Sequence, residues 1–159
     1  MSVLEERLAA VNAAIADAAR EVGRDPGEIT LEAATKTQTA DTVRAAIQAG
    51  VAVCGENRVQ ELVQKLDAFA YDGAREVHFI GHLQTNKVRQ VVGRVDLIES
   101  VDSLHLLQAV SDCAQRLGRV QDILLEVNIA GEASKSGFTP DGVFGGVEKA
   151  QELPGVRLR

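Results

Sequence analysis

Lys36 lies between two threonines, Thr35 and Thr37, straight after an apolar run that begins at Ile29. A lysine so placed can do covalent chemistry. At the carboxyl end of a parallel strand, where α/β folds gather their ligands, partial burial disfavours the ammonium form and frees the amine to attack a carbonyl. The bland counterpart is a rim lysine whose stem covers apolar surface while its head stays in water. Polar side chains recur after the later apolar runs: Gly55-Glu56-Asn57, Gly81-His82 with Gln84 and Asn86, Ser100-Val101-Asp102, and Asn128 with the loop 132–137. Amides, a histidine and lysines converging at one rim suit a small polar, anionic ligand. The loops at the other ends, 24–27 and 71–75, read as ordinary turns.

Each of these residues also has a structural reading. Asn57 and Asn128 can be helix caps or turn formers. His78 lies inside the apolar run 77–80 and reads first as a hydrogen-bonded core histidine. His78 and His82 do not make a metal pair, because Gly81 and the change from strand to turn spoil the ligand geometry, and no metal is expected. Glu61 and Lys65, four residues apart, read as an ion pair on a solvated helix face.

The elements that must hold these residues alternate regularly. Apolar residues at helical spacing predict a helix over 3–22, with Ser2 as N-cap and Glu5 at the capping-box position. A strand from Ile29 with Lys36 at its carboxyl end, buried on both faces, precedes a helix over 42–49. Then come a strand at 51–54, a helix at 58–70, a strand at 77–80 and a helix at 83–92. A strand at 95–99, a helix at 103–117, a strand at 122–129 and a helix at 140–153 with Pro140 in its first turn follow. The tail from Val156 starts one more strand. Such alternation predicts an α/β fold with a parallel sheet and right-handed crossovers. Periodicity alone does not choose between a closed barrel and an open doubly wound sheet. No G-x-G-x-x-G follows a strand, and no P-loop is present.

Composition narrows the class further. The 159 residues are 45% hydrophobic and 25% charged, as expected for one domain. A net charge of −6 and 3% aromatic residues argue against nucleic-acid binding. No apolar run approaches the roughly 18 residues of a membrane span, and the first residues lack the pattern of a secretory signal. Cys54 and Cys113 stand alone, which suits a reducing cytoplasm, and Cys54 reads as a small buried hydrophobe.

Taken in order, Ala33-Ala34-Thr35-Lys36-Thr37, Cys54-Gly55-Glu56-Asn57 with Val59-Gln60-Glu61, the run 78–87 from His78 to Lys87, Ser100-Val101-Asp102, Val127-Asn128-Ile129 and Ser134-Lys135-Ser136-Gly137 resemble the pyridoxal phosphate homeostasis protein family. That family is similar to the N-terminal barrel domain of alanine racemase, and the match extends from about residue 4 to the end. The resemblance implies a single domain over 1–159 with a TIM-barrel-like fold. It implies that Lys36 forms a Schiff base with pyridoxal 5′-phosphate, without catalytic turnover, in cofactor homeostasis and delivery to PLP-dependent apoenzymes in the cytoplasm. It further implies that Asn57 and His78 lie around the cofactor and that Lys135 makes a second, weaker contact. Gln38 departs from a lysine that members often carry there. Members also continue beyond the position of Arg159 into the segment that holds the phosphate, so the expected barrel is incomplete, with five strands and the start of a sixth. An open parallel edge invites self-association.

Two other readings stay open. One is an enzyme, either a Schiff-base lyase or aldolase acting on a sugar phosphate or a racemase-like PLP enzyme. A racemase needs a second proton-transferring group, and the single tyrosine, Tyr71, is expected on the far rim. The other is a fragment that binds no ligand because it lacks the phosphate cradle.

Overall fold

The computed structural model describes residues 2–159. Its first helix, α1 (Val3–Glu21), opens on the expected reciprocal cap. The Ser2 hydroxyl accepts the Glu5 N–H, and the Glu5 carboxylate accepts the Ser2 N–H, so two otherwise orphaned donors are satisfied. The chain continues through β1 (Glu32–Ala34), α2 (Ala40–Gln48), β2 (Val53–Glu56), α3 (Val59–Asp67), β3 (Glu76–Phe79) and β4 (Leu97–Val101). It closes with α4 (Leu104–Arg116), β5 (Gln121–Leu125), α5 (Val143–Glu152) and β6 (Val156–Leu158). All neighbouring strands are parallel, and their spatial order is their chain order, β1 to β6. A doubly wound sheet reverses that order partway, whereas a (β/α) barrel never does. The structure is therefore an arc of a barrel, with β1 and β6 as its two open edges.

The register divides the sheet into two unlike faces. Cys54, Phe79, Ile98 and Ile123 point to the side covered by helices and are fully buried there with Leu62, Leu106, Leu107 and Val110. Each such leucine or phenylalanine contributes about 1.5–3 kcal/mol by leaving water. Because side chains alternate along a strand, Glu32, Glu76, His78, Glu99, Asp122 and Arg157 share the opposite, inner face. The expectation of a first strand buried on both faces is thus corrected. Glu32 takes the inner side, Ala34 is exposed, and regular pairing lasts only from Glu32 to Ala34.

Two local expectations also change. The stretch 83–92 forms a 3₁₀ helix over Thr85–Gln90 instead of an α-helix. Positions three apart eclipse in that tighter helix, which turns both Val88 and Val91 into the core. Pro140 precedes α5, whose approach is held by the Thr139 hydroxyl accepting the Gly142 N–H at 3.0 Å. Cys54 and Cys113 are free and buried.

Candidate functional site at the carboxyl rim

Regular pairing ends at Ala34 opposite Gly55, and Lys36 follows in the turn at the carboxyl end of β1, as Asn57 follows the carboxyl end of β2, so both stand at the same rim. His78 lies two residues below Asn57, roughly 6–7 Å down the strands. Lys36 is exposed, and the partial burial expected for it is absent. The cause is its strand. β1 is an edge, so one flank of Lys36 has no neighbouring strand to exclude water.

Asn57 is set by β2 and the start of α3. Its N–H donates to Glu56 Oε1 at 2.9 Å, while its side-chain Oδ1 is buried and accepts from nothing among the described residues. The cap reading does not hold for it, because α3 takes Arg58 as N-cap and has no side-chain cap. The end of β3 presses on the same residue. A Cβ on Gly81 would lie 2.0 Å from the Asn57 carbonyl oxygen, a distance that only glycine tolerates. Beside them a cleft of about 170 Å³ is lined by Asn57, Arg58, Gln60, His82, Gln84 and Lys87. A larger cavity, about 490 Å³, opens at the other rim between Glu76, Asp96, Asp122 and Arg157. It lies at the strand starts, where parallel sheets seldom bind ligands, and Arg157 already pairs with Asp122 through two hydrogen bonds.

His78 is buried inside a cage of carboxylates. Nδ1 lies 2.8 Å from Glu99 Oε1 and 3.4 Å from Glu32 Oε2, and Nε2 lies 3.0 Å from Glu76 Oε2. Burial alone pulls the imidazole pKa down, but the hydrogen bonds from Glu76 and Glu99 and the charges of Glu32 and Glu99 outweigh it and raise the value. Glu32 is raised by burial and by Glu99, and Glu76 is lowered by His78. Glu32, His78 and Glu99 each offer a ligand atom within 4.8 Å of the others. The three carboxylates are the hydrogen-bond partners of the His78 ring in the barrel interior.

The reading of Glu61 and Lys65 as a solvated pair is overturned. Lys65 is 5% exposed and reaches through the outer layer to Glu56, itself 0% exposed, and to the carbonyl of Thr35 at 2.7 Å. The Thr35 hydroxyl donates toward Gly55 O at 3.2 Å and lies 3.3 Å from both Glu56 Oε2 and the Tyr71 hydroxyl. Tyr71 starts from the far rim, as expected, but its ring runs through the core to the residue before Lys36. Burial pushes its phenol far above the ordinary range. The same layer pushes the Cys54 thiol up to about 11, mainly by burial and then by the Glu32 charge, so it stays an inert thiol. These partners lie far apart in sequence, and a buried lysine on a helix that looks amphipathic leaves no local signal.

Lys135 is exposed in the loop after β5 and pairs with Glu132 at 2.9 Å. Asn128 organises that loop, donating to the carbonyls of Glu132 and Lys135, so its turn-forming role stands. His82 Nδ1 lies 3.1 Å from Ser136 Oγ and 3.1 Å from Asp102 Oδ2. A nucleophile relay needs serine and carboxylate on different ring nitrogens, so this trio does not activate Ser136.

Residues 13–159 match the family model described as alanine racemase, N-terminal domain. The pyridoxal phosphate homeostasis protein of Aquifex aeolicus is 40% identical over 153 residues, which covers 96% of this chain and 67% of that protein. Its counterpart in Pseudomonas aeruginosa is 39% identical over 159 residues, covering 100% and 69%. The chain thus spans about two thirds of the length of these relatives. Among solved structures, an unknown protein from Bifidobacterium adolescentis superposes with a TM-score of 0.91 at 38% identity, covering 98% of this chain and 66% of that one. PipY of Synechococcus elongatus with PLP bound gives 0.78 at 28% identity, covering 98% and 68%. Alanine racemase of Clostridium difficile, 14% identical with a TM-score of 0.67 over 82% of this chain and 34% of that one, shares the fold.

Proposed function

The chain belongs to the alanine racemase N-terminal domain family, among the pyridoxal phosphate homeostasis proteins, and on that premise we propose that it binds pyridoxal 5′-phosphate through a Schiff base on Lys36. The observation that carries this reading is the pairing at the rim. An exposed amine follows the carboxyl end of β1 at the same rim as Asn57, whose buried Oδ1 is an acceptor without a donor among the described residues. A cofactor that presents an aldehyde to one and a hydroxyl or protonated nitrogen to the other fits that pair. The acidic inner floor of Glu32, Glu76 and Glu99 repels a phosphate, which supports a ligand held at the rim above it. The cofactor supplies an electrophilic aldehyde, while the protein supplies the amine and its orientation.

The role is homeostasis and delivery of the cofactor to PLP-dependent apoenzymes in the cytoplasm, by one domain over 1–159, without turnover. The Tyr71 hydroxyl lies in hydrogen-bond reach of Thr35 and Glu56 in the layer between sheet and helices, so it is not offered as a racemase's proton-transferring group. Lys135 serves as a second contact in exchange with its Glu132 partner. Among the described residues no helix is long and apolar enough to cross a membrane. The test is borohydride reduction of the protein mixed with the cofactor, followed by peptide mapping. Label on Lys36 in the wild type and none in Lys36→Ala is the expected result. A chain that stays unlabelled and colourless is a non-binding fragment.

A further inference from the structure

Both peptide groups that flank the Lys36 Cα are tied to one helix. On the amino side, the Thr35 carbonyl accepts the Lys65 ammonium at 2.7 Å. On the carboxyl side, the Thr37 N–H donates to Glu61 Oε2 at 2.8 Å. Glu61 and Lys65 are one turn apart on α3 and lie 3.4 Å from each other, so two residues of a single rigid element grip the chain before and after Lys36. The grip holds a conformation the chain would not choose. Thr37 has φ +62, a left-handed backbone that glycine adopts freely and that costs a β-branched residue on the order of 1–2 kcal/mol. Strain of this kind persists where the surroundings over-determine it, and it gathers at functional sites. The Thr37 N–H also holds the Glu61 carboxyl below its ordinary range, ahead of Lys65 and Arg58, in keeping with a charged, directional contact.

We infer that Glu61 and Lys65 are positioning residues that clamp the backbone of Lys36 so that its exposed amine meets the cofactor aldehyde in one orientation. The inference rests on the reading of Lys36 given above. In the step concerned, the lone pair of the neutral amine adds to the aldehyde carbon. A C=N bond replaces C=O, and the oxygen leaves as water with the two amine protons.

The test compares Glu61→Ala, Glu61→Gln and wild type in three measurements: the rate of borohydride-trapped label at Lys36, the affinity for 4′-deoxypyridoxine 5′-phosphate, which has no aldehyde, and amide exchange at Thr37. Glu61→Ala is expected to slow labelling by about tenfold or more, within the hundredfold cost of an ångström-scale misplacement. It should also speed exchange at Thr37 and leave the analogue affinity within about twofold, since the analogue makes no covalent bond. Glu61→Gln keeps an acceptor for the Thr37 N–H and should restore most of the labelling rate. Wild-type labelling by Glu61→Ala, an equal loss of analogue affinity, or no rescue by glutamine overturns the clamp. If the wild type binds the analogue but takes no label at Lys36, the reading of Lys36 fails and the clamp's purpose with it, whereas the exchange result still reports the contact itself.

Discussion

Replacing Lys65 by methionine tests the network beneath Lys36 most directly. The side chain keeps its length and apolar stem, so packing changes little. What disappears is the cation beside Glu56, a carboxylate that is 0% exposed and has no route to water. Breaking a buried pair from one side typically costs about 3–5 kcal/mol. The lower end applies here. Glu56 keeps the Asn57 N–H at 2.9 Å and the hydroxyls of Thr35 and Tyr71, and the Thr35 carbonyl keeps the Gln38 N–H at 3.1 Å. A loss of about 3 kcal/mol lowers the folding constant more than a hundredfold. It lowers the melting temperature of a domain this size by roughly 6–12 °C. Urea unfolding at neutral pH reads the difference, provided the slope with denaturant is unchanged. The double variant Glu56→Gln/Lys65→Met removes the stranded charge and should recover at least half of the loss. A single variant within about 1 kcal/mol of wild type, the size of an exposed pair, would show that Lys65 is not the counter-ion of Glu56. So would a double variant no better than the single one.

Other perturbations separate the remaining contacts. Gly81→Ala drives a Cβ toward the Asn57 carbonyl, an obstruction made of backbone that cannot rotate away, and should cost about 1–3 kcal/mol in thermal or urea melts; an unchanged stability would mean that the two loops are not in contact. His78 has its pKa raised in the folded state, so its contribution is complete below about pH 6.5 and fades as pH rises through the folded value. The stability advantage of wild type over His78→Gln, measured by urea unfolding across pH 5.5–9, should therefore shrink toward alkaline pH, and an advantage that grows with pH contradicts the carboxylate cage. Lys36→Ala should leave stability within about 0.5 kcal/mol, as for other exposed positions, so a marked loss of folding would show a packing role for that side chain.

Much of the protein is readable in one dimension because the signals are local. The Ser2–Glu5 cap, the helices α1, α3 and α4, the strand–helix alternation and the gathering of Lys36, Asn57 and His82 at strand ends all follow from residues within a few positions of each other. Val77-His78-Phe79 and Ile98-Glu99 alternate apolar and polar residues, but only the fold shows that the polar ones share one inner face. The strand order needed the fold, because alternation is the same in a barrel and in a doubly wound sheet. Only the tertiary structure decided that Lys36 is exposed on an edge, that Lys65 is buried, and that Tyr71 ends at Thr35. Those depend on Thr35, 30 residues from Lys65 and 36 from Tyr71, on Glu56, nine residues before Lys65, or on the lack of a neighbour. A helix position reads as solvated until a buried carboxylate from another strand is brought beneath it.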